Sequence, residues 1–330
     1  MANIQLGLCC INLQLRNQET PIWSSRSMIV RTINEQGIDK LKEKIIQNLK
    51  DTIQLIHWNH HNGIKVFRLS SELFPHKTNP LIPAYDYEFA KQLLLEIGSV
   101  AMQYNQRITF HPGHFNVIGT PNQQAFQNTI NDLTYHADLL DLMQLPIDSV
   151  MVVHGGGKYG NKQKTMERWC SNFFKLPKHV QKRLVLENCE KNFSIEDCLF
   201  ISHKINIPVV FDIHHYNCYK LIHPIEQFHD AEYYIPFVLY TWQRRGIKPK
   251  FHISEQGVGK IGHHSDFIES IPQYLLDIPQ KYNISIDIMI EAKMKELAIF
   301  KLYNKYQKLF CNHSNITIPG HGWATNYKCC

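Results

Sequence analysis

The stretch Val209-Val210-Phe211-Asp212-Ile213-His214-His215 passes from an apolar run to a carboxylate and two imidazoles. A continuous run of branched and aromatic side chains is typical of a strand that is buried on both faces, as in a parallel sheet. Runs of this kind recur along the chain, and there are eight of them: Ile4–Leu8, Ile64–Leu69, Arg107–Phe110, Val150–Val153, Leu184–Leu186, Val209–Ile213, Lys250–Ile253 and Ile286–Ile290.

Helical patterns separate these runs. In the first pattern, apolar residues step by three and four positions from Ile38 to Ile56, which marks one buried helix face, and Gly63 ends the helix. The segment from Leu13 to Ile38 is interpreted as an insertion after the first strand, and the stretches after the fourth and seventh runs are less regular. The further predicted helices are Asp86–Tyr104, Gln124–Leu145, Ser194–Ile205, Tyr234–Arg245 and Lys293–Phe310.

The alternation of strand and helix predicts an α/β fold, a single (β/α)8 TIM barrel with a metal cluster at the C-terminal face of its strands. A doubly wound open sheet would give the same local pattern and stays open as an alternative. The 330 residues exceed the roughly 250 of a typical barrel. No linker-like segment divides the chain, so we expect one domain over residues 1–330.

The composition restricts the class of protein further. The chain is 44% hydrophobic and carries a formal net charge of +6, which permits an anionic partner such as nucleic acid without requiring one. Nine scattered cysteines without a C-x-x-C pair fit a reducing compartment. Neither a signal peptide nor a run of about 18 apolar residues is evident. We therefore expect a soluble intracellular protein (cytoplasmic or nuclear, or in a nucleoid or viral factory) without a membrane partner.

Imidazoles and carboxylates dominate the positions at which the runs stop. Barrel chemistry takes place at the C-terminal ends of the strands, so these side chains are expected to converge. A single histidine after a strand is more often a hydrogen-bonded structural residue, but several carboxylates and imidazoles together would repel one another unless cations neutralised them. The strand-end residues are Asn12, Arg68, Ser70, Ser71, His111, His154, Glu187, Asp212, His214, His215, His252 and Glu291.

The mixed nitrogen and oxygen donors predict two or three divalent metal ions. Such donors favour Mn²⁺, Zn²⁺ or Fe²⁺ over Ca²⁺. We expect manganese, with zinc next and magnesium as a further alternative. Metal ions about 3.5–4 Å apart can activate water and stabilise both oxygens of an in-line phosphodiester displacement. Phosphodiester hydrolysis is therefore the expected chemistry.

Two further features bear on the site. Lys250 is two residues from His252 and is expected on the same barrel-facing side, where it could form a salt bridge, contact phosphate or become a carbamate ligand. The glycine-rich stretch 155–162 lacks the Gly-Lys-Ser/Thr ending of a nucleotide-binding P-loop, so we expect no nucleoside triphosphate. Its Lys158 and Lys162 suit either a contact to the DNA backbone or a solvated basic loop.

An ordered set of motifs runs through nearly the whole chain. The motifs are Phe67–Pro75, His111-Pro112-Gly113, Tyr135-His136-Ala137, His154–Lys162, Leu186-Glu187-Asn188, Val210-Phe211-Asp212 with His214-His215, His264-Ser265-Asp266 and Asp287–Lys293. In order and spacing they resemble the UV-damage endonuclease family. The resemblance implies a TIM barrel that nicks duplex DNA, without ATP, immediately 5′ of a lesion such as a UV photoproduct, leaving a 3′-hydroxyl and a 5′-phosphate and starting excision repair.

The resemblance also implies roles for individual residues. Catalytic roles would fall to Glu187, Lys250 and Glu291. The implied metal ligands are His111, His154, Glu187, Asp212, His215, His252, His264 and Glu291. The residues expected to bind DNA or the lesion are Asn12, Arg68, His114, Phe115, Lys158, Tyr159 and Lys162.

The chain departs from the family pattern where the lesion is read. Leu8 stands where the family usually has a tyrosine, and His114 stands where it usually has a glutamine. Lesion preference is therefore left open. Phe115 is either a wedge that supports a bent duplex or a core phenylalanine.

Other readings stay open at this point. A metal-dependent sugar isomerase-like barrel or an apurinic-site endonuclease would gather the same ligands, because the fold does not dictate the substrate. A damage-recognition module with a purely structural cluster is the non-enzymatic alternative. A wide basic groove favours DNA, whereas a sealed pocket favours a sugar. The expected partner is damaged double-stranded DNA, bound by a monomer.

Overall fold

Each of the eight apolar runs forms a strand in the computed structural model, which describes residues 3–310. Almost every strand residue is buried, as expected of a sheet covered on both faces. The second and third strands are shorter than their runs. The strands are β1 (Ile4–Cys9), β2 (Val66–Arg68), β3 (Arg107–Thr109), β4 (Met151–His154), β5 (Leu184–Glu187), β6 (Val209–Asp212), β7 (Lys250–Ile253) and β8 (Ile286–Ile290).

The strands form one parallel ring. Their hydrogen-bonded order is β3-β2-β1-β8-β7-β6-β5-β4, so sequence order continues around the sheet without reversal. An isolated parallel bridge between Phe110 and Met151 joins the two edges, and the Phe110 N–H donates to the Val150 carbonyl at 3.0 Å. A doubly wound sheet would reverse its strand order, so the predicted eight-stranded barrel is confirmed and the open-sheet alternative is wrong.

The helices cover the outside of the ring. All six predicted helices are present, although the one expected from Asp86 begins at Lys91, after a short 3-10 turn over Glu88–Ala90. The helices are α1 (Leu13–Arg16), α2 (Val30–Gln36), α3 (Ile38–His61), α4 (Lys91–Gln103), α5 (Gln123–Leu142), α6 (Lys162–Phe173), α7 (Lys178–Arg183), α8 (Ile195–Ile205), α9 (Ile213–Ile222), α10 (Ala231–Gln243), α11 (Gln273–Leu276), α12 (Ile278–Tyr282) and α13 (Lys295–Lys305).

Side-chain caps fix the points at which the chain leaves the barrel mouth and enters a helix. Asn161 Oδ1 accepts from the Lys164 N–H at 2.9 Å at the start of α6. Ser194 and Asp197 form a capping box at the start of α8. Asp212 ends β6 and also caps α9. Each such cap satisfies main-chain N–H groups that a helix start otherwise leaves unpaired.

The less regular stretches also contain helices. The predicted insertion after β1 holds α1 and α2, the stretch after β4 holds α6 and α7, and α11 and α12 precede β8. Most buried apolar residues belong to one large cluster that joins the ring to its helices. The prediction of one domain over residues 1–330 stays a prediction, because positions 1–2 and 311–330 lie outside the described residues.

Within residues 3–310, none of the helices combines the length and the apolar character that crossing a bilayer requires.

Candidate metal centre

Six strands bring the predicted ligands to one mouth of the barrel. His154, Glu187 and Asp212 are the last residues of β4, β5 and β6. His252 lies within β7, and Glu291 follows β8 directly. His111 comes two residues after β3. Because all strands are parallel, these side chains lie at the C-terminal end of the ring, where barrel chemistry takes place.

Glu187 is the central carboxylate of this group and is fully buried. Its Oε1 lies 2.7 Å from His252 Nδ1, and its Oε2 lies 2.8 Å from His111 Nε2 and 3.5 Å from His154 Nε2. Burial alone would raise the pKa of Glu187, but the surrounding imidazoles, above all His252 and His154, hold it well below its usual range. Glu187 is therefore the ionised centre of the group.

Glu291 is the second carboxylate and is held from two sides. Its Oε1 accepts from Arg68 Nη1 at 2.5 Å and lies 3.3 Å from His252 Nδ1. Its Oε2 lies 3.8 Å from His264 Nε2. Burial opposes ionisation, yet Arg68 and His252 hold the pKa of Glu291 well below its ordinary value.

Asp212 differs from both of them. It is fully buried, its Oδ1 accepts from the His215 N–H at 2.7 Å, and its Oδ2 has no hydrogen-bond partner among the described residues. Burial raises the pKa of Asp212 to about 8; His215 opposes the rise, and the charges of Glu187 and Glu291 add to it. A nearby cation would reverse this cost.

The donor set fits divalent ions. Besides Asp212 Oδ2, the buried His154 Nδ1 and His252 Nε2 have no hydrogen-bond partner in residues 3–310. Buried polar atoms are nearly always paired, so orphaned imidazole nitrogens beside carboxylates are what a cation site provides. Three groups hold ligand atoms within 4.8 Å of one another: His111 with Glu187 and His252, Glu187 with Asp212 and His215, and Asp212 with His252 and Glu291.

His264 joins the group from the loop after β7. An antiparallel bridge between Gln256 and His264 holds this loop, and the His264 side chain is 30% exposed. Its ring meets that of His214 edge-on, with centroids 5.5 Å apart. No strand pattern marks this position, so only the family resemblance indicated it.

Lys250 lies on the same side of β7 as His252, as the spacing predicted. It is fully buried, and its Nζ donates to Thr109 Oγ1 at 3.1 Å. No ion pair joins it to a carboxylate of residues 3–310, so the salt-bridge alternative is wrong. Burial, with Arg68 and Arg107, lowers the pKa of Lys250 to about 7.

Exposed aromatic residues lie on the loops after β3 and β4. Phe115 is 62% exposed, so the alternative of a core phenylalanine is wrong. Tyr159 is 44% exposed on the glycine-rich loop, and Lys158 beside it is partly exposed. His114 is exposed, and its ring stacks on that of the predicted ligand His154, with centroids 4.5 Å apart.

Three residues expected to contact DNA are used inside the fold. Asn12 is buried and caps α1, with its Oδ1 accepting from the Leu15 N–H at 2.8 Å. Arg68 donates to Glu291, and Lys162 Nζ pairs with Asp197 Oδ2 at 2.8 Å. Each of the three therefore has at least one polar atom engaged inside the fold, and their expected contact with DNA stays a prediction.

Asn188 is a site residue for which sequence reasoning gave no role. It is fully buried directly after Glu187, and its side chain makes two hydrogen bonds to the main chain of Asp212. The motif Leu186-Glu187-Asn188 could have drawn attention to it. Its bonding partner, on another strand, could not be found without the fold.

The fold and the site define a class of protein, a (β/α)8 barrel with a candidate metal centre at its C-terminal mouth. Residues 4–319 match the family described as UV-endonuclease UvdE. The chain belongs to the UV-damage endonuclease family.

The relatives span this chain to different extents. A protein of Acanthamoeba polyphaga mimivirus, whose name also places it among the UV-damage endonucleases, is 41% identical over 92% of this chain and 91% of its own length. The UV-damage endonuclease of Schizosaccharomyces pombe is 36% identical over 92% of this chain. This chain spans only 51% of that yeast protein.

Solved structures share the barrel. The crystal structure of SacUVDE has a TM-score of 0.78 and 27% sequence identity, over 93% of this chain and 99% of that one. Endonuclease IV from Thermus thermophilus has a TM-score of 0.55 at 12% identity, over 94% of this chain and 99% of that one. The second likeness is one of fold alone.

Proposed function

We propose that this protein is a metal-dependent endodeoxyribonuclease that nicks duplex DNA immediately 5′ of UV photoproducts and related lesions. The observation that carries the proposal is the buried Glu187 group with its orphaned ligand atoms, at the C-terminal mouth of a barrel from the UV-damage endonuclease family. The nick would leave a 3′-hydroxyl and a 5′-phosphate and begin alternative excision repair. The proposed enzyme acts as an intracellular monomer without a nucleoside triphosphate.

The overlap of the three ligand groups supports two or three ions. Glu187 is shared by the first and second groups, and Asp212 by the second and third. A carboxylate has two oxygens that can accept, so each of these two residues would be able to serve both of the groups to which it belongs. The proposed ligands are His111, His154, Glu187, Asp212, His215, His252, His264 and Glu291, with manganese favoured and zinc or magnesium as alternatives.

When bound, the ions would supply activated water and stabilise the attacking and leaving oxygens of an in-line phosphodiester displacement. Glu187 and Glu291 are proposed as catalytic carboxylates, because both are held ionised at the centre of the mouth. Arg68 orients Glu291 through their 2.5 Å hydrogen bond. These contacts place the carboxylates before substrate arrives, as catalysis by positioning requires.

Lys250 is proposed as a third catalytic residue. Because it is buried without a carboxylate partner, its amine has a depressed pKa and is available in neutral form near pH 7. It would contact phosphate or, by attack of the nitrogen on CO₂ with loss of a proton, become a carbamate ligand. Electron density beyond Nζ would show the carbamate, and a bare amine would exclude it.

The DNA-facing surface is proposed to consist of the loops after β3 and β4. Phe115 would serve as a wedge, because unstacking a damaged step costs less than unstacking an intact one. Tyr159 and Lys158 would contact the strand beside it, Lys158 through phosphate. His114, stacked on His154, would lie between the wedge and the metal centre.

Supercoiled plasmid provides the test. Purified protein is incubated with irradiated or untreated plasmid, with Mn²⁺ or a chelator, and the ends of any nick are mapped. The proposal expects nicks only in irradiated plasmid with Mn²⁺, each immediately 5′ of a lesion. Absence of an irradiation-dependent 5′ nick would contradict it, and lesion binding without nicking that survives chelation would favour a recognition module.

A further inference from the structure

Asn188 occupies the point at which β5 and β6 part beneath the ligand group. The register of these strands pairs Leu186 with Val209 and Glu187 with Val210, and the Leu186 N–H donates to the Pro208 carbonyl at 2.9 Å. In a parallel ladder the hydrogen bonds between two strands repeat every two residues. If the ladder between β5 and β6 continued beyond Glu187 and Val210, the Asp212 N–H would donate to the main-chain carbonyl of Asn188.

The structure replaces that bond with a side chain. Asn188 Oδ1 accepts from the Asp212 N–H at 2.9 Å, and Asn188 Nδ2 donates to the Asp212 carbonyl at 3.0 Å. The carboxamide therefore acts as an additional peptide group of β5 and satisfies both main-chain groups of Asp212. Since Asn188 and Asp212 are fully buried, the loss of either bond would leave a polar group without water to replace it.

Because the Asn188 side chain bonds to Asp212, the Asn188 main-chain carbonyl is free for another contact. It lies 3.1 Å from His215 Nδ1. A carbonyl can only accept, so Nδ1 is the donor in this contact, which restricts the orientation of the His215 ring beside Glu187 and Asp212. A histidine that ligates a metal through one nitrogen commonly donates its other N–H to a carbonyl, and this contact fixes the ring.

We propose that Asn188 is a positioning residue for the group formed by Glu187, Asp212 and His215. It follows Glu187 directly in the chain, holds the Asp212 main chain on both sides and orients the His215 ring through its own carbonyl. The proposal rests on the metal-dependent function proposed above. In this role Asn188 acts through the residues that it holds and not by its own contact with substrate or ion.

Substitution of Asn188 tests this role. Asn188→Ala removes the carboxamide, and Asn188→Leu removes its polar atoms while retaining most of its volume, which avoids a cavity. Both variants are expected to lower the affinity for Mn²⁺ about ten- to one-hundred-fold, as loss of a contact behind a metal ligand does elsewhere. Calorimetric titration with MnCl₂ measures the affinity, and circular dichroism verifies folding.

Asn59→Ala is the matched control. Asn59 is also a fully buried amide, but its Nδ2 donates to Gln106 Oε1 at the far end of α3. This variant should lose stability and keep the wild-type Mn²⁺ affinity. For Asn188→Leu, kcat on irradiated duplex should fall at least tenfold while KM stays within about twofold, because DNA contacts are unchanged.

The outcomes separate the two proposals. Mn²⁺ binding by the wild type with equal affinity in both Asn188 variants would overturn the positioning role alone. An equal loss of Mn²⁺ affinity in Asn59→Ala would also overturn the positioning role, because a general loss of protein stability would then explain the effect. If the wild type takes up none of Mn²⁺, Zn²⁺ and Mg²⁺, the proposed metal-dependent function fails, and the role of Asn188 fails with it.

Discussion

Glu187 and Asp212 are fully buried carboxylates at the ends of adjacent strands, yet their pKa values move in opposite directions. Three imidazole nitrogens lie within 3.5 Å of the Glu187 oxygens, and these interactions, above all those with His252 and His154, outweigh desolvation. Asp212 has one N–H donor to Oδ1 and none to Oδ2, so desolvation dominates. Such divergence between neighbouring groups is common at functional sites.

Phe115→Ala is expected to lower nicking of irradiated duplex more than it lowers metal content, since the exposed ring is proposed to contact DNA and not the ligand group. Folding should be unaffected, because the side chain is 62% exposed. Nicking rates and bound metal per protein are the measurements. Phe174→Ala is the control, since Phe174 is 58% exposed just beyond the far end of α6. Equal nicking by Phe115→Ala and wild type would remove the wedge.

His136 is expected to make the fold sensitive to acid. Burial lowers its pKa below the ordinary value of 6.5; Asp132 opposes this shift, and His111 adds to it. Below pH 6.5 His136 therefore binds a proton in the unfolded chain but stays neutral in the folded protein. The free energy of unfolding that is present above that pH is lost as the pH falls. Between pH 7 and pH 5 the loss amounts to at most about 2 kcal/mol.

His136→Phe should reduce this acid-side loss, because phenylalanine cannot take up the proton. Urea unfolding at pH 7 and pH 5 measures the change. His203→Phe, on the exposed side of α8, should keep the wild-type difference between the two pH values. An unchanged loss in His136→Phe would show that other groups cause the acid sensitivity.

Among the elements, the strand ends were predictable and the partners of their side chains were not. Apolar runs followed by His, Asp or Glu located the mouth, because the run and its polar end are adjacent in the chain. The ion pairs of Arg68 and Lys162 could not be predicted, because their partners, Glu291 and Asp197, lie on other elements. His264 follows no strand directly, so periodicity gave no signal for it.

The loop after β4 depends on a close approach to the segment after β5. A Cβ atom at Gly155 would lie 2.3 Å from the Phe193 ring, whereas one at Gly157 would lie 3.3 Å from the exposed Tyr159 ring. Phe193 is fully buried and cannot yield, but Tyr159 can turn away. The glycine at position 155 is therefore required by packing.

Gly155→Ala should lower the free energy of unfolding by about 1–3 kcal/mol, the usual cost of overpacking. It should also reduce nicking by displacing the loop that follows His154. Gly157→Ala, two residues away, should leave stability within about 0.5 kcal/mol of wild type. Denaturant unfolding measures both variants, and equal stabilities would show that Phe193 does not restrict the loop.

At the scale of the whole molecule, the parallel ring brings the eight proposed ligand residues, which are spread along the chain, to one mouth of the barrel. Glu187, Asp212 and Glu291 gather there in a chain whose overall charge is +6. Net charge thus gave little indication of the site, because the carboxylates at the mouth are negative whereas the net charge of the chain is positive. Convergence is a property of the closed barrel and could be anticipated only once that fold was predicted.

Divalent ions are expected to stabilise the folded protein. Mn²⁺ at about 100 times its dissociation constant should add about 2.7 kcal/mol to the free energy of unfolding, and excess chelator should remove this gain. Thermal and denaturant unfolding measure the shift. Glu187→Gln, which removes the central charge, should show a much smaller response. Identical unfolding of the wild type with Mn²⁺ and with chelator would show that the group does not bind Mn²⁺ in solution.

Incision of a duplex with a single UV photoproduct tests the central claim most directly. The labelled duplex is incubated with wild type or Asp212→Asn in Mn²⁺, and its fragments are compared with those from an undamaged duplex. We expect one cut immediately 5′ of the photoproduct by the wild type, with a 3′-hydroxyl end, and none by Asp212→Asn. Equal cutting of the undamaged duplex, or undiminished cutting by the variant, would contradict a lesion-directed nuclease that works through this centre.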